Sequence, residues 1–304
     1  MKLKRIVRIL AKALAAIIFA VIIVAGAGWI YFHPRIELTR GVVYGNSHGR
    51  NLTFDTIRPA HPNGACVIFM VSGGWKSDPN KFQPWITAPL LRRGYTVFAV
   101  SHISQPDATV MEITEEVNRA VRYIRHYASG LRIDPERLGV TGGSSGGHLS
   151  LMLATRGGPG PANSSDPVDR ESSAVQAVAV FYPVTDLLNL GSSTENPGNG
   201  GPPRSFVKAF GSGSTEPATW QAIGRSLSPI FHVTEKLPPT LIYHGDADTL
   251  VPLDQSERFQ AEARKHGSNV MLVVHHAGQH GWLSMVWDIR QFADWFDKYL
   301  SSRV

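Results

Sequence analysis

The sequence is short of cysteine: Cys66 is the single one in 304 residues, so no intrachain disulfide can form and the redox compartment is not legible from thiols. It lies within the apolar run Ala65-Cys66-Val67-Ile68-Phe69-Met70-Val71, where a small buried side chain accounts for it. Acidic residues are missing altogether from positions 1–35, whereas Lys2, Lys4, Arg5, Arg8, Lys12 and Arg35 all fall there. Those six account for the whole excess of basic charge. From residue 36 onward 24 basic residues balance 24 acidic ones, which removes the electrostatic footprint of a nucleic-acid-binding protein. No internal repeat is present.

Charge of either sign is also lacking from Ala13 to Phe32, twenty residues long enough to cross a hydrocarbon core of about 30 Å as a helix. No polar face interrupts the run, which argues against a core helix of a soluble domain. Five basic residues precede it, so the positive-inside bias predicts a membrane anchor with the remainder of the chain on the extracytoplasmic side. Trp29 and Tyr31 at its distal end suit an interfacial belt. The alternative is a signal peptide, cleaved after a small-residue site such as Ala25-Gly26-Ala27, which would leave a secreted protein.

Beyond the anchor, Val42-Val43-Tyr44 and Asn51 to Arg58 read as two strands joined by a turn. Cys66 to Val71, Tyr95 to Val100, Leu138 to Thr141, Val175 to Tyr182, Thr240 to Tyr243 and Val270 to Val274 are apolar runs of strand length, as expected for strands covered on both faces. Helical spacing falls between them at Phe82 to Arg93, Val110 to Tyr127, Leu253 to Lys265 and Trp282 to Leu300. Alternating strands and helices imply an α/β fold with a mostly parallel central sheet flanked by helices. The expected organisation is a basic N-terminus and anchor over 1–35 and a single catalytic domain over 36–304. Gly- and Pro-rich stretches near 157–173 and 191–225 are expected to be small loop insertions.

The segment Gly143-Ser144-Ser145-Gly146-Gly147 sits between the strand Leu138–Thr141 and an apolar helical run from His148. Gly-x-Ser-x-Gly in that context is a nucleophile elbow, a sharp turn that lifts a serine hydroxyl above the sheet edge. Framed by Gly143 and Gly147, the expected nucleophile is Ser145, with Ser144 as a neighbouring alternative that this framing sets aside. A serine hydroxyl needs a histidine to take its proton and an acid to orient that histidine, and on this fold they follow in that order. Asp248, after the strand Thr240–Tyr243, is the expected orienter. His280, after the strand Val270–Val274, is the expected base. Asp246 competes with Asp248 but reads better as a carboxylate that orders its loop. The expected oxyanion donors are the N–H of Gly146 and those of Gly73 and Gly74 in Val71-Ser72-Gly73-Gly74-Trp75. His276 and His280 have the spacing of helical metal ligands, yet Gly278 and Gly281 oppose a helix there, so neither a metal nor a cofactor is expected.

Taken in order, these segments resemble the α/β-hydrolase esterases related to hormone-sensitive lipase and to bacterial feruloyl and acetyl esterases. The resemblance runs from about Val42 to Leu300 and is carried by Leu52 to Pro59, Ser72-Gly73-Gly74-Trp75, Ile133-Asp134-Pro135-Glu136-Arg137-Leu138, Gly143 to His148, His244 to Pro252 and Gly278 to Trp282. It implies an α/β-hydrolase fold and a serine esterase acting on a small-molecule or glycan-linked ester, with Asp248 and His280 as the partners of the nucleophile. A prolyl-oligopeptidase-type peptidase or amidase, and a non-catalytic membrane-anchored binding protein of the same fold, are the alternatives. One departure stands out. Many members carry His-Gly-Gly-Gly-Trp, and aligning the tryptophan puts Val71 at the histidine and Ser72 at the first glycine.

Overall fold

The computed structural model describes residues 2–301. Helix α1 (Lys2–Phe32) comes first, and none of its apolar stretch is buried inside the protein. It is the one helix among the described residues long and apolar enough to cross a membrane. Only His33, Pro34 and Arg35 separate it from strand β1 (Ile36–Ser47), which turns through His48 and Gly49 into β2 (Arg50–Pro59). Both turn residues have positive φ, 49° and 71°, the combination that matches a two-residue hairpin to the twist of its strands.

The chain then alternates. Strand β3 (Cys66–Met70) leads through two short 3-10 turns and α2 (Ala88–Arg92) to β4 (Thr96–Val100). Helix α3 (Val110–His126) and the single turn α4 (Ala128–Leu131) precede β5 (Leu138–Gly143). Helix α5 (Ser145–Arg156) and the short α6 (Pro167–Arg170) lead to β6 (Ala177–Phe181), and α7 (Pro217–Ser226) to β7 (Thr240–Gly245). Helix α8 (Asp254–Lys265), β8 (Val270–His275) and α9 (Met285–Leu300) complete the order. Helix α3 starts where Thr109 and Glu112 cap each other reciprocally, each satisfying one free backbone N–H of the first turn.

All eight strands join one sheet in the order β1-β2-β4-β3-β5-β6-β7-β8, with the β1–β2 and β2–β4 pairs antiparallel and every other pair parallel. Strands β3 to β7 are apolar on both sides because both sides are covered, whereas the edge strand β8 leaves Met271 and Val274 exposed. One face packs under α3, α5, α7 and α8 with Ile113, Val117, Leu149, Trp220 and Phe259. The other packs under α2 and α9 with Leu90, Leu91, Phe292 and Phe296. The connection from β3 runs to β4 on one side, whereas β5 is followed by β6 on the other. The connections leaving the carboxyl ends of β3 and β5 therefore run in opposite directions, and a crevice opens between them, as at the strand-order reversals where open α/β sheets bind ligands.

Two sequence expectations need adjustment. The stretch after residue 203 is not a plain surface loop: a 3-10 turn (Arg204–Phe210) and α7 contribute Ala209, Phe210 and Trp220 to the core, with the Phe210 and Trp220 rings edge-on at 5.1 Å. The helix expected from Phe82 is shorter. Pro84 opens a 3-10 turn over Pro84–Thr87, and Pro89, tolerated only in the first turn of a helix, leaves α-helix at Ala88–Arg92 alone.

Candidate active site

Strand β5 ends at Gly143 and α5 begins at Ser145, so the residue at the apex of the turn is Ser144, held at φ 55°, ψ −122°. That conformation is costly for any side-chain-bearing residue and persists because strand and helix fix both ends. The glycines that permit it are Gly142 and Gly146. A Cβ on Gly142 would lie 2.6 Å from the backbone of Gly146, and one on Gly146 would lie 2.8 Å from the Met70 carbonyl oxygen. The elbow is therefore Gly142-x-Ser144-x-Gly146, one residue earlier than the frame expected from sequence. The sequence holds both frames, and only the length of the strand before them separates the two.

The expectation of Ser145 as nucleophile is accordingly corrected. Ser145 lies in the first turn of α5, is buried, and directs its hydroxyl at Ser72 Oγ, 3.1 Å away. Ser144 Oγ instead lies 3.0 Å from His280 Nε2, and His280 Nδ1 lies 2.7 Å from Asp248 Oδ2. Asp248 is buried, and its other oxygen accepts from the N–H groups of Leu250 and Val251 at 2.9 Å each. With one carboxylate oxygen fixed by two amides, the second is aimed at the imidazole. An ionised Asp248 requires His280 to carry its proton on Nδ1, which leaves Nε2 free to accept from Ser144.

Asp246 points elsewhere, accepting from the Ala277 N–H at 2.6 Å and pairing with the exposed His276 at 2.9 Å. These contacts order the loop that carries His280. Next to Asp248, the fully buried His244 bonds Ser256 Oγ and the Val251 carbonyl, both at 2.7 Å, and burial depresses its basicity.

The expected oxyanion positions shift with the elbow. The N–H following Ser144 belongs to Ser145, and it lies in the first helical turn, where no intrahelical acceptor exists. The expected donor Gly146 is one residue too late; its role is the close approach of α5 to β3. Across the crevice, the Gly73 N–H is engaged by the Lys76 carbonyl at 2.9 Å, so Gly73 is not available as expected. Gly74, at φ +56°, makes no hydrogen bond from its N–H among the described residues.

Sequence reasoning missed three side chains around this centre. Burial pushes His102 down to about 4, so it is neutral at neutral pH. Its Nδ1–H donates to the Ile103 carbonyl at 2.7 Å, and Nε2 then accepts from the Ser72 hydroxyl at 2.9 Å. Ser72 Oγ is in turn left to accept from Ser145. A chain of uncharged hydrogen bonds thus ties the loop after β3 to the first turn of α5. His148, also pushed down to about 4 by burial, takes the Trp75 indole N–H at 3.2 Å and donates to the Leu227 carbonyl at 2.7 Å. The loop that lost the histidine of the usual motif is held by two histidines from other elements. The third residue is Tyr182, at the end of β6, whose ring lies 4.5 Å from that of His280 and shields it. His102 and Tyr182 have no local motif, and His148, though it closes the segment Gly143 to His148, shows its contacts with Trp75 and Leu227 only in the folded chain.

Ser144 and His280 open into a cavity of about 1120 Å³. Phe82, Trp85, Met285 and Ile289 form an apolar wall, while Ser193 and Glu195 from the Gly/Pro-rich loop form part of a polar one.

Comparison with known proteins places the chain among esterases. Esterase LipQ of Mycobacterium tuberculosis is 28% identical over 76% of this chain and 53% of its own length. The probable carboxylic ester hydrolase LipM of the same organism is 28% identical over 66% of this chain and 45% of its own. The chain thus spans about half the length of these curated relatives. Among solved structures, a truncated carbohydrate esterase from gut microbiota superposes with a TM-score of 0.70 at 25% identity, covering 86% of this chain and 96% of that one. The fold is that of the α/β hydrolases. The BD-FAE family matches residues 55–263, a span that runs from within β2 into α8 and includes both Ser144 and Asp248, and the chain belongs to that family.

Proposed function

We propose that the protein is a serine hydrolase of carboxylic esters, with Ser144 as nucleophile, His280 as base and then acid, and Asp248 as the orienting carboxylate. The observation that carries this reading is the continuous contact from Ser144 Oγ to His280 Nε2 at 3.0 Å and from His280 Nδ1 to Asp248 Oδ2 at 2.7 Å. Ser144 Oγ attacks the ester carbonyl as its proton passes to Nε2. The tetrahedral oxyanion is received by the N–H groups of Ser145 and Gly74. His280 returns the proton to the departing alkoxide, and water, deprotonated by the same imidazole, releases the acid. Residues 36–304 act as one catalytic domain. Residues 1–35, with five basic residues ahead of an uncharged helix, anchor it to a membrane and place it on the extracytoplasmic side.

The test compares wild type with Ser144→Ala and Ser145→Ala on p-nitrophenyl acetate and on a prolyl p-nitroanilide. Ser144→Ala is expected to lower kcat on the ester by at least about a thousandfold, as loss of a nucleophile does. Ser145→Ala is expected to stay within about thirtyfold of wild type, because its backbone N–H survives. Equal activity of wild type and Ser144→Ala would refute the assignment, and faster turnover of the anilide than of the ester would replace the esterase reading with an amidase one.

A further inference from the structure

One side chain, Trp85, is shared by two spaces. On one side it lines the catalytic cavity; on the other it closes a shallow hollow with Gly28, Trp29, Phe32 and His33 of α1. The last turn of α1 is built into the domain at this point. The Phe32 ring lies edge-on to Trp85 at 6.2 Å and to Trp287 at 5.1 Å, and Tyr31 stacks on Trp287 at 5.9 Å. The Arg92 guanidinium covers the Tyr31 ring at 5.0 Å and donates to the carbonyls of Ile30 and Tyr31, so the terminal carbonyls of α1 are capped by the domain. With three residues between α1 and β1, the domain is held close to the membrane side of its own anchor.

The same edge is apolar toward solvent. Leu283 is fully exposed, Trp287 is 48% exposed and Trp85 39%. Aromatic residues at the end of a membrane-crossing helix sit at the level of the lipid headgroups. Trp85 and Trp287 contact that end, which puts the rim of the cavity at the same level. Directly inside the rim, Phe82, Ile86, Met285, Val286 and Ile289 continue the apolar surface inward. The cavity exceeds the roughly 300–1,000 Å³ that holds a drug-sized ligand, and is far larger than an acetyl group needs.

We propose that the cavity faces the bilayer surface and takes its substrate from the lipid phase: an amphiphilic ester whose long acyl or alkyl chain passes beside Trp85 into the apolar wall while its carbonyl reaches Ser144. The occupant of the exposed apolar rim is the lipid surface itself. This rests on the ester-hydrolase reading and on α1 as the anchor.

The experiment uses the full-length chain in phosphatidylcholine vesicles with two esters of the same leaving group, water-soluble p-nitrophenyl acetate and bilayer-partitioned p-nitrophenyl palmitate. The variants are Leu283→Glu alone and Leu283→Glu with Trp287→Glu; neither side chain lines the cavity. The double variant is expected to lose tenfold or more on the palmitate and to stay within twofold on the acetate. Leu283→Glu, at a side chain without protein contacts to lose, is expected to lose threefold or more on the palmitate alone. Unchanged palmitate rates in Leu283→Glu, or wild type that cleaves acetate but not palmitate, would overturn the proposal. Wild type no faster than Ser144→Ala on both esters would instead bring down the esterase reading, and this proposal with it.

Discussion

Ser72 stands where the usual motif has its first glycine, and its hydroxyl bridges two elements that the reaction needs in register: the loop bearing Gly74 and the helix turn bearing the Ser145 N–H. His102 completes that bridge without touching any reacting atom, so it is a positioning residue. His102→Ala leaves the Ser72 hydroxyl without its acceptor, and a lost buried hydrogen bond is worth about 1–3 kcal/mol. The expected result is a kcat about tenfold lower with KM within twofold, because the oxyanion exists only in the transition state. Ser72→Ala should behave alike, and the double variant should cost little more than either alone, as measured by a double-mutant cycle. An additive double variant would separate the two residues. The sequence makes the order serine, aspartate, histidine legible, and it leads to Asp248 and His280, which the structure brings together at 2.7 Å. It leads to the wrong one of two adjacent serines because both fit a glycine frame, and a frame counts residues, whereas the elbow is set by where β5 stops.

The central strands β3 to β7 are legible because each is a short apolar run between turn residues, and burial on both faces demands that composition; the first half of β1, exposed along most of its length, carries no such signal. The elements between residues 204 and 226 are not legible either. The 3-10 turn Arg204–Phe210 and α7 are too short for helical periodicity, and they owe their place to Phe210 and Trp220 packing at long range. The junction of β5 with α5 gives a test at this scale. Gly142→Ala forces a methyl against the Gly146 backbone and is expected to destabilise by about 1–3 kcal/mol in urea unfolding, with loss of activity. Gly143→Ala, whose new methyl would meet only Tyr182 at 3.4 Å, is expected to cost under 1 kcal/mol. Reversal of that order would favour the later glycine frame.

The molecule as a whole carries three buried histidines, His102, His148 and His244, each less basic than in the unfolded chain. The unfolded state therefore binds more protons below about pH 6.5, and stability must fall as pH falls through that range toward 4. For His102 and His148, pushed down to about 4, the loss is roughly 2 kcal/mol each by pH 5. Glu116, whose carboxyl is lifted by burial, opposes the trend in part. Urea midpoints measured between pH 7 and pH 5 are expected to drop steadily, and a level midpoint would mean that the fold accepts these protons.

The backbone twist at Ser144 has a further consequence for the whole fold. A residue without Cβ sits at φ 55° free of the steric penalty, so Ser144→Gly should raise the unfolding free energy by about 1 kcal/mol while abolishing turnover. Sequence drift toward greater robustness at this position leads away from activity. The protein remains below its attainable stability at the one residue where its reactivity depends on doing so.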